Sequence, residues 1–316
     1  MAGPAPRTRA RILLQTGHHD GDEWLDALSA ALPEADIARW PDVPAAVDYL
    51  VVWKPPAEVF ARVPVVKAIF NLGAGVDALL NVPNLPPGVP VVRVEDAGMA
   101  EQMADYVLLA VLAAYRGADV YARQQAAGQW LQHPHRPGSG FGIGVLGLGV
   151  LGQVVAATVA AAGFPVAGWS RERRTVPGVS AFAGIGELPA FLARSQVLVC
   201  LLPSTPATRD LLDRERLSAL PKGAHVVNVA RGDILVDADL LALLDAGHLA
   251  GATLDVFRDE PLPADHPFWR HPRIVVTPHV SAITLVAESA AQIAAKIRRL
   301  ESGLAVTGIV DRGRGY

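Results

Sequence analysis

Between Ile143 and Ala157 the chain runs from an apolar stretch through three glycines, Gly147, Gly149 and Gly152, and out into Val154-Val155-Ala156-Ala157. Few folds accommodate such a passage. A G-x-G-x-x-G spacing between strand and helix fits a parallel α/β sheet: Gly147 lets the chain turn tightly, Gly149 lets the backbone approach a ligand, and Gly152 lets the new helix lie against the strand. The free N–H groups and positive dipole end of that helix suit an anion, and a dinucleotide pyrophosphate is the usual one. Glycine-rich turns also occur where nothing binds, so the residues downstream decide the reading.

The rest of the chain supports the same class. Short apolar runs alternate with longer amphipathic stretches, the pattern of β-α-β units building parallel sheets. Strands are predicted at 11–15, 49–53, 67–72 and 89–94, then at 142–146, 165–169, 196–201, 224–229, 250–254 and 273–277. Between the two sets, Met99 to Ala127 reads as one long helix with Tyr106, Leu109, Leu112 and Ala113 at helical spacing. A last helix at 285–300 has no strand after it and is expected to return to the first lobe. With 316 residues the chain exceeds one ordinary core. Two domains are expected: a discontinuous one, 1–98 plus 283–316, and one at 99–282. Gln129 to Ser139, with Pro134, Pro137 and Gly138, reads as a loop.

Composition narrows the partners. Hydrophobic residues make up 51% and charged residues 19%, and the net charge is −3, which offers no global attraction to nucleic acid or to an anionic membrane. No apolar run reaches the ~18 residues of a membrane span, and Met1 to Ala10, with Arg7 and Arg9, has no signal-peptide core. The single cysteine, Cys200, sits in the apolar run 196–202. It excludes an intrachain disulfide, argues against a thiol nucleophile and fits a reducing cytoplasm. His18-His19-Asp20 lacks a matched ligand partner, and His133 and His135 sit in the loop, so no metal site is expected.

Three strand-end segments carry the chemistry: Asn228-Val229-Ala230-Arg231-Gly232, Leu254 to Pro261, and Thr277-Pro278-His279-Val280-Ser281. Ligands of open α/β sheets sit outside the carboxyl ends of the strands, so Arg231, Glu260 and His279 can converge although far apart in sequence. Taken singly, each has a plainer explanation: a structural ion pair, a turn, and a satisfied strand-end histidine. Asp105 and Tyr106 read as helix-face residues. After the strand that follows the glycine turn, Trp169-Ser170-Arg171 lacks the Asp or Glu that holds an NAD ribose hydroxyl. Ser170, Arg171, Arg173 and Arg174 offer donors for a 2′-phosphate instead, so NADP(H) is preferred and NAD(H) remains possible.

Together with Asn71-Leu72-Gly73-Ala74-Gly75-Val76-Asp77, these ordered motifs resemble the D-isomer specific 2-hydroxyacid dehydrogenase family from end to end, and its glyoxylate/hydroxypyruvate reductase branch in the short interval from Glu260 to His279. The resemblance implies two doubly wound parallel-sheet lobes, a Rossmann cofactor domain and a flavodoxin-like substrate domain. It implies NADPH-dependent reduction of small 2-keto acids, with His279 as proton donor, Glu260 behind it to orient the ring and favour its charged form, and Arg231 gripping the substrate carboxylate and carbonyl oxygen. For the cofactor it implies contacts with Gly147, Leu148, Gly149, Val150, Leu151, Gly152, Ser170, Arg171, Arg174, Leu202, Pro203, Val229, Ala230, Asp255, His279 and Ser281, with Asp255 accepting from the nicotinamide carboxamide. For the substrate it implies Trp53, Gly73, Ala74 and Gly75 besides Arg231. A homodimer is expected through the helix from Met99 and the loop around Trp130. Two alternatives share the motifs: a dehydrogenase for larger keto acids such as phenylpyruvate, and a dinucleotide-sensing interaction protein of the same fold.

Overall fold

The computed structural model describes residues 9–17, 19–134 and 137–316. Arg7, His18 and His135 lie outside the described residues. Two compact units emerge: Met1–Gly98 with Thr284–Tyr316, and Met99–Ile283.

The first unit is built on five parallel strands, β1 (Arg11–Gln15), β2 (Asp36–Arg39), β3 (Tyr49–Val52), β4 (Ala68–Asn71) and β5 (Val91–Arg93), in the order β2-β1-β3-β4-β5. That is the flavodoxin-like order. Both β3 and β4 are buried along their whole length, which is why they read as unbroken apolar runs rather than alternating ones. Between the strands lie α1 (Gly21–Ala31), α2 (Ala57–Arg62) and α3 (Asp77–Leu80). Asp20 caps α1, its carboxylate accepting from the N–H groups of Asp22 and Glu23.

The second unit opens with α4 (Met99–Arg116) and α5 (Ala118–Ala126). The single helix expected over 99–127 is therefore two. Gly117, at φ +64°, occupies a left-handed conformation that ends the first helix and starts the second. Seven parallel strands follow: β6 (Ile143–Leu146), β7 (Val166–Ser170), β8 (Val179–Ala183), β9 (Val197–Cys200), β10 (Ala224–Asn228), β11 (Leu249–Leu254) and β12 (Ile274–Val276). Their order, β8-β7-β6-β9-β10-β11-β12, is the Rossmann order with one strand added. Among the helices, α6 (Val150–Ala161) packs with α4 over one apolar layer that includes Val107, Val145, Val155 and Val199. On the other face α7 (Gly184–Leu192), α8 (Arg214–Ser218) and α9 (Asp237–Asp245) cover a second layer that includes Phe191, Leu198, Leu217 and Leu244. Helices on both faces make the sheet doubly wound.

The chain returns to the first unit as α10 (Val286–Glu301), which packs on α1 and buries Ala290, Ile293, Ala294 and Ile297. Glu301 on this helix accepts from Tyr49 Oη at 2.6 Å and from Lys67 Nζ at 2.7 Å.

Candidate active site

The glycine turn leaves β6 and enters α6. At Gly147 φ is +115°, and a Cβ there would lie 2.7 Å from the Leu201 carbonyl oxygen. At Gly152 a Cβ would lie 1.9 Å from the Gly147 carbonyl oxygen, so only glycine lets the helix sit this close to the turn. Gly149 differs, because a Cβ built there meets nothing within 4 Å. Its surroundings are open, and it precedes a twelve-residue helix whose first N–H groups are capped by no side chain. This is the cradle that a pyrophosphate fits, with anion and helix dipole of opposite sign. Leu148 is buried beneath Gly168, Leu151 is half-buried, and Val150 faces outward.

At the end of β7 the Ser170 hydroxyl donates to the Glu172 carbonyl at 2.6 Å, so its proton is committed within the loop and only its lone pairs remain for a ligand. Arg173 is committed as well, to the Ala181 carbonyl at 2.6 Å and to Glu187 at 2.5 Å. Arg171 and Arg174, also named from the sequence, are exposed in the same loop. Leu202 and Pro203 follow β9, with Thr208 donating to the Pro203 carbonyl at 2.6 Å.

After β10 the loop Val229–Ala230–Arg231 is fastened by Asn228, which is fully buried. Its amide nitrogen donates to the Arg231 carbonyl at 3.0 Å and its oxygen accepts from the Ala230 N–H at 3.2 Å. Gly232 then lets this loop touch the one after β11: a Cβ there would lie 1.9 Å from the Phe257 carbonyl carbon. Neither role was assigned from the sequence, although both residues lay inside a motif singled out there.

His279 and Glu260 meet. The ring Nδ1 lies 2.8 Å from Glu260 Oε2, while Oε1 accepts from the Phe257 N–H at 3.0 Å. Partial burial works to raise the Glu260 carboxyl, but the bonds from His279 and Phe257 and the charges of His279 and Arg231 outweigh it and hold the group below its ordinary range. An ionised Glu260 only accepts, so Nδ1 carries a proton whatever the charge of the ring. The exchangeable position is then Nε2, which has no partner among the described residues, on a side chain 44% exposed. The backbone of His279 is left-handed at φ +56°, which costs a non-glycine residue about 1 kcal/mol and persists only where the surroundings enforce it.

Asp255 does the enforcing. It is fully buried at the end of β11; Oδ1 accepts from Thr277 Oγ1 at 2.6 Å and from the Val280 N–H at 2.9 Å, and Oδ2 from the Ser281 N–H at 2.8 Å. Its carbonyl accepts from the His279 N–H at 2.9 Å. Both carboxylate oxygens thus hold the His279 loop, a structural duty beyond the carboxamide contact that the resemblance implied.

In the first unit, Asn71 donates to the carbonyls of Gly73 at 2.8 Å and Gly75 at 2.9 Å. The N–H groups of Gly73, Ala74 and Gly75 make no backbone hydrogen bond among the described residues, so this turn presents donors suited to an anion. Trp53 follows β3 and lies against Gly73, where a Cβ would be 2.6 Å from the indole ring. Its buried Nε1 has no partner among the described residues.

Other candidates settle elsewhere. Burial pushes the Cys200 thiol up to about 12, and His225, bonded to Thr253 Oγ1 at 3.0 Å, is pushed down by burial to about 4. Among the described residues no cluster of three or more His, Cys, Asp or Glu is arranged to hold a metal, and no helix is long and apolar enough to cross a membrane.

Comparison with known proteins accords with this geometry. Residues 108–281 match the model of the D-isomer specific 2-hydroxyacid dehydrogenase NAD binding domain. A D-isomer specific 2-hydroxyacid dehydrogenase from Xanthobacter autotrophicus Py2, crystallised with NADPH and MES, is 44% identical, with TM-score 0.93 over 98% of this chain and 100% of that one. An NADPH-dependent glyoxylate/hydroxypyruvate reductase from Sinorhizobium meliloti, crystallised with NADP and sulfate, is 36% identical, with TM-score 0.91 over 98% and 100%. A probable 2-hydroxyacid dehydrogenase from Rhizobium etli CFN 42, solved in complex with NADP, HEPES and L(+)-tartaric acid, is 33% identical, with TM-score 0.89 over 97% and 100%. The chain belongs to the D-isomer specific 2-hydroxyacid dehydrogenase family, oxidoreductases with a nicotinamide-dinucleotide domain.

Proposed function

We propose that this protein is an NADP(H)-preferring reductase of small 2-keto acids such as glyoxylate and hydroxypyruvate, forming D-2-hydroxy acids where a stereocentre arises. The observation that carries the reading is the Glu260–His279 pair, which fixes a proton on Nδ1 and leaves Nε2 for exchange beside the Arg231 loop. A bound nicotinamide supplies hydride to the substrate carbonyl carbon. His279 Nε2 gives its proton to the carbonyl oxygen as negative charge develops there, and Glu260 stabilises the charged ring before that transfer. Arg231 pairs with the substrate carboxylate and polarises the adjacent carbonyl.

The turn 147–152 would hold the pyrophosphate, Arg171 and Arg174 would take the 2′-phosphate, and Leu202, Pro203, Val229, Ala230, Asp255 and Ser281 would line the remainder of the dinucleotide site. Residues 99–282 form the cofactor domain. Residues 1–98 with 283–316 form the substrate domain, in which the N–H groups of Gly73 to Gly75 receive the substrate carboxylate and Trp53 packs over it. The resemblance to the Sinorhizobium meliloti reductase supports the substrate class, and the missing ribose-binding carboxylate after β7 supports NADP(H). The lone buried cysteine fits a cytoplasmic enzyme. Dimerisation is proposed through α4, α5 and the segment after them, where Leu109, Leu112, Tyr121 and Leu131 are exposed and Trp130 is 97% exposed.

Steady-state kinetics with a panel of keto acids tests the whole reading. His279→Ala is expected to lower kcat/KM about 10²–10⁴-fold and Arg231→Ala about 10²-fold or more. Near-wild-type rates for both on every substrate would remove the mechanism. Best turnover on phenylpyruvate-like acids would instead select the larger-substrate reading, and cofactor binding without any turnover would select a sensor. In the same assay, Arg171→Ala should weaken NADPH at least tenfold more than NADH; equal losses would refute the 2′-phosphate assignment.

A further inference from the structure

The segment from Thr277 to Ile283 carries His279 but has neither strand nor helix of its own; beside backbone bonds from Thr277 to Leu254 and from His279 to Asp255, side chains that reach it hold it in place. Asp255 is one. Two more come from α4, where Gln102 and Tyr106 stand at i and i+4 and therefore share a face. Gln102 grips the backbone of Ile283 twice, Nε2 donating to its carbonyl at 3.1 Å and Oε1 accepting from its N–H at 3.2 Å. Tyr106 Oη lies 2.5 Å from Thr277 Oγ1. One helix face thus holds both ends of the segment.

The bond at the Thr277 end has a direction. A threonine hydroxyl has a single proton, and that of Thr277 goes to Asp255 Oδ1 at 2.6 Å. Tyr106 must therefore donate to Thr277, giving a chain of one polarity from Tyr106 through Thr277 to Asp255. Asp255 in turn receives the N–H groups of Val280 and Ser281, the residues directly after His279. Removing the phenol proton leaves the Thr277 oxygen without its donor and loosens the support on which Asp255 depends. Asp105, the neighbour of Tyr106, is exposed and plays no part.

We propose that the Gln102–Tyr106 face of α4 is a positioning clamp for His279, with Tyr106 acting through Thr277 and Asp255 to set the ring against Glu260. The clamp matters to catalysis only if His279 is the proton donor read above. Neither Gln102 nor Tyr106 touches the proposed reacting atoms, so both are positioning residues. A clamp of this kind changes turnover more than ground-state binding, because it acts where the proton is passed.

The test combines histidine side-chain NMR on the full chain without added cofactor and steady-state kinetics with NADPH and the best keto acid. Tyr106→Phe should move the His279 ring cross-peaks while leaving those of His225 in place. It should lower kcat about tenfold with KM changed less than twofold. Thr277→Val should do the same, and the double variant should be no worse than the poorer single one, since both break one chain. His279 cross-peaks that superimpose on wild type, a kcat within twofold of it, or losses that multiply in the double variant would each overturn the clamp. If the wild-type protein reduces no keto acid, the functional reading fails, and the NMR comparison still decides whether Tyr106 positions His279. Should Tyr106→Phe fail to fold, Gln102→Leu applies the same readouts to the other end of the segment.

Discussion

Gly149 and Gly152 stand three positions apart and should respond to a methyl group in opposite ways. At Gly149 the backbone is already extended, with φ −69° and ψ −166°, and nothing obstructs a Cβ. Gly149→Ala is expected to leave thermal stability unchanged and to weaken dinucleotide binding, read as a higher Kd by cofactor fluorescence. Gly152→Ala drives a methyl into the Gly147 carbonyl, where backbone meets backbone, and should cost about 1–3 kcal/mol, seen as a lower Tm. If both variants lost stability alike, the open space at Gly149 would not be a ligand's. At this scale the motif glycines were readable because their spacing is local. The tie between Tyr106 and Thr277 was not, since 171 positions separate the two in sequence and only the fold joins them. Ser170 and Arg173 misled for a related reason, because their donors looked available until the structure showed a carbonyl and Glu187 receiving them.

Elements buried on both faces were the easiest to foresee. Strands β3, β4, β6 and β9 are covered throughout and announce themselves as apolar runs. At the sheet edges, β5 and β12 were still anticipated from Val-Val-Arg and Ile-Val-Val, whereas β2 and β8 were not. Each pairs with a single neighbour, and their sequences Asp-Ile-Ala-Arg and Val-Ser-Ala-Phe-Ala mix exposed and half-buried positions. An edge needs less apolar surface, so the pattern can fade there. Loops between elements carry the site, and the Glu260–His279 bond ties the loop after β11 to the loop after β12. This tie makes an acid-side prediction. The folded state lowers the Glu260 carboxyl below its ordinary value of 4.5, so its contribution to stability is complete above that value and is lost as pH falls through the lowered folded one. The Tm difference between wild type and Glu260→Gln should therefore be largest near neutrality and close progressively below pH 4.5. A difference that stayed constant or widened in acid would contradict the assignment.

For the molecule as a whole, repeated β-α-β spacing disclosed two parallel sheets, and in the structure the first unit is made of two stretches of chain with the second inserted between them. The order of strands within each sheet came only with the structure, because sequence spacing does not say on which side of a strand the next one pairs. The interruption has a consequence for synthesis. On the ribosome β1 to β5 emerge first, yet α10, which covers α1 and supplies the Glu301 acceptor for Tyr49 and Lys67, emerges only after all of Met99–Ile283. Each of Ile293 and Ile297, once covered, is worth about 1.5–3 kcal/mol of burial. Until then the α1 face of the first unit is left open. The first unit, though its strands are made before the inserted one, is therefore completed after it, and the inserted one can fold beforehand as a unit of its own.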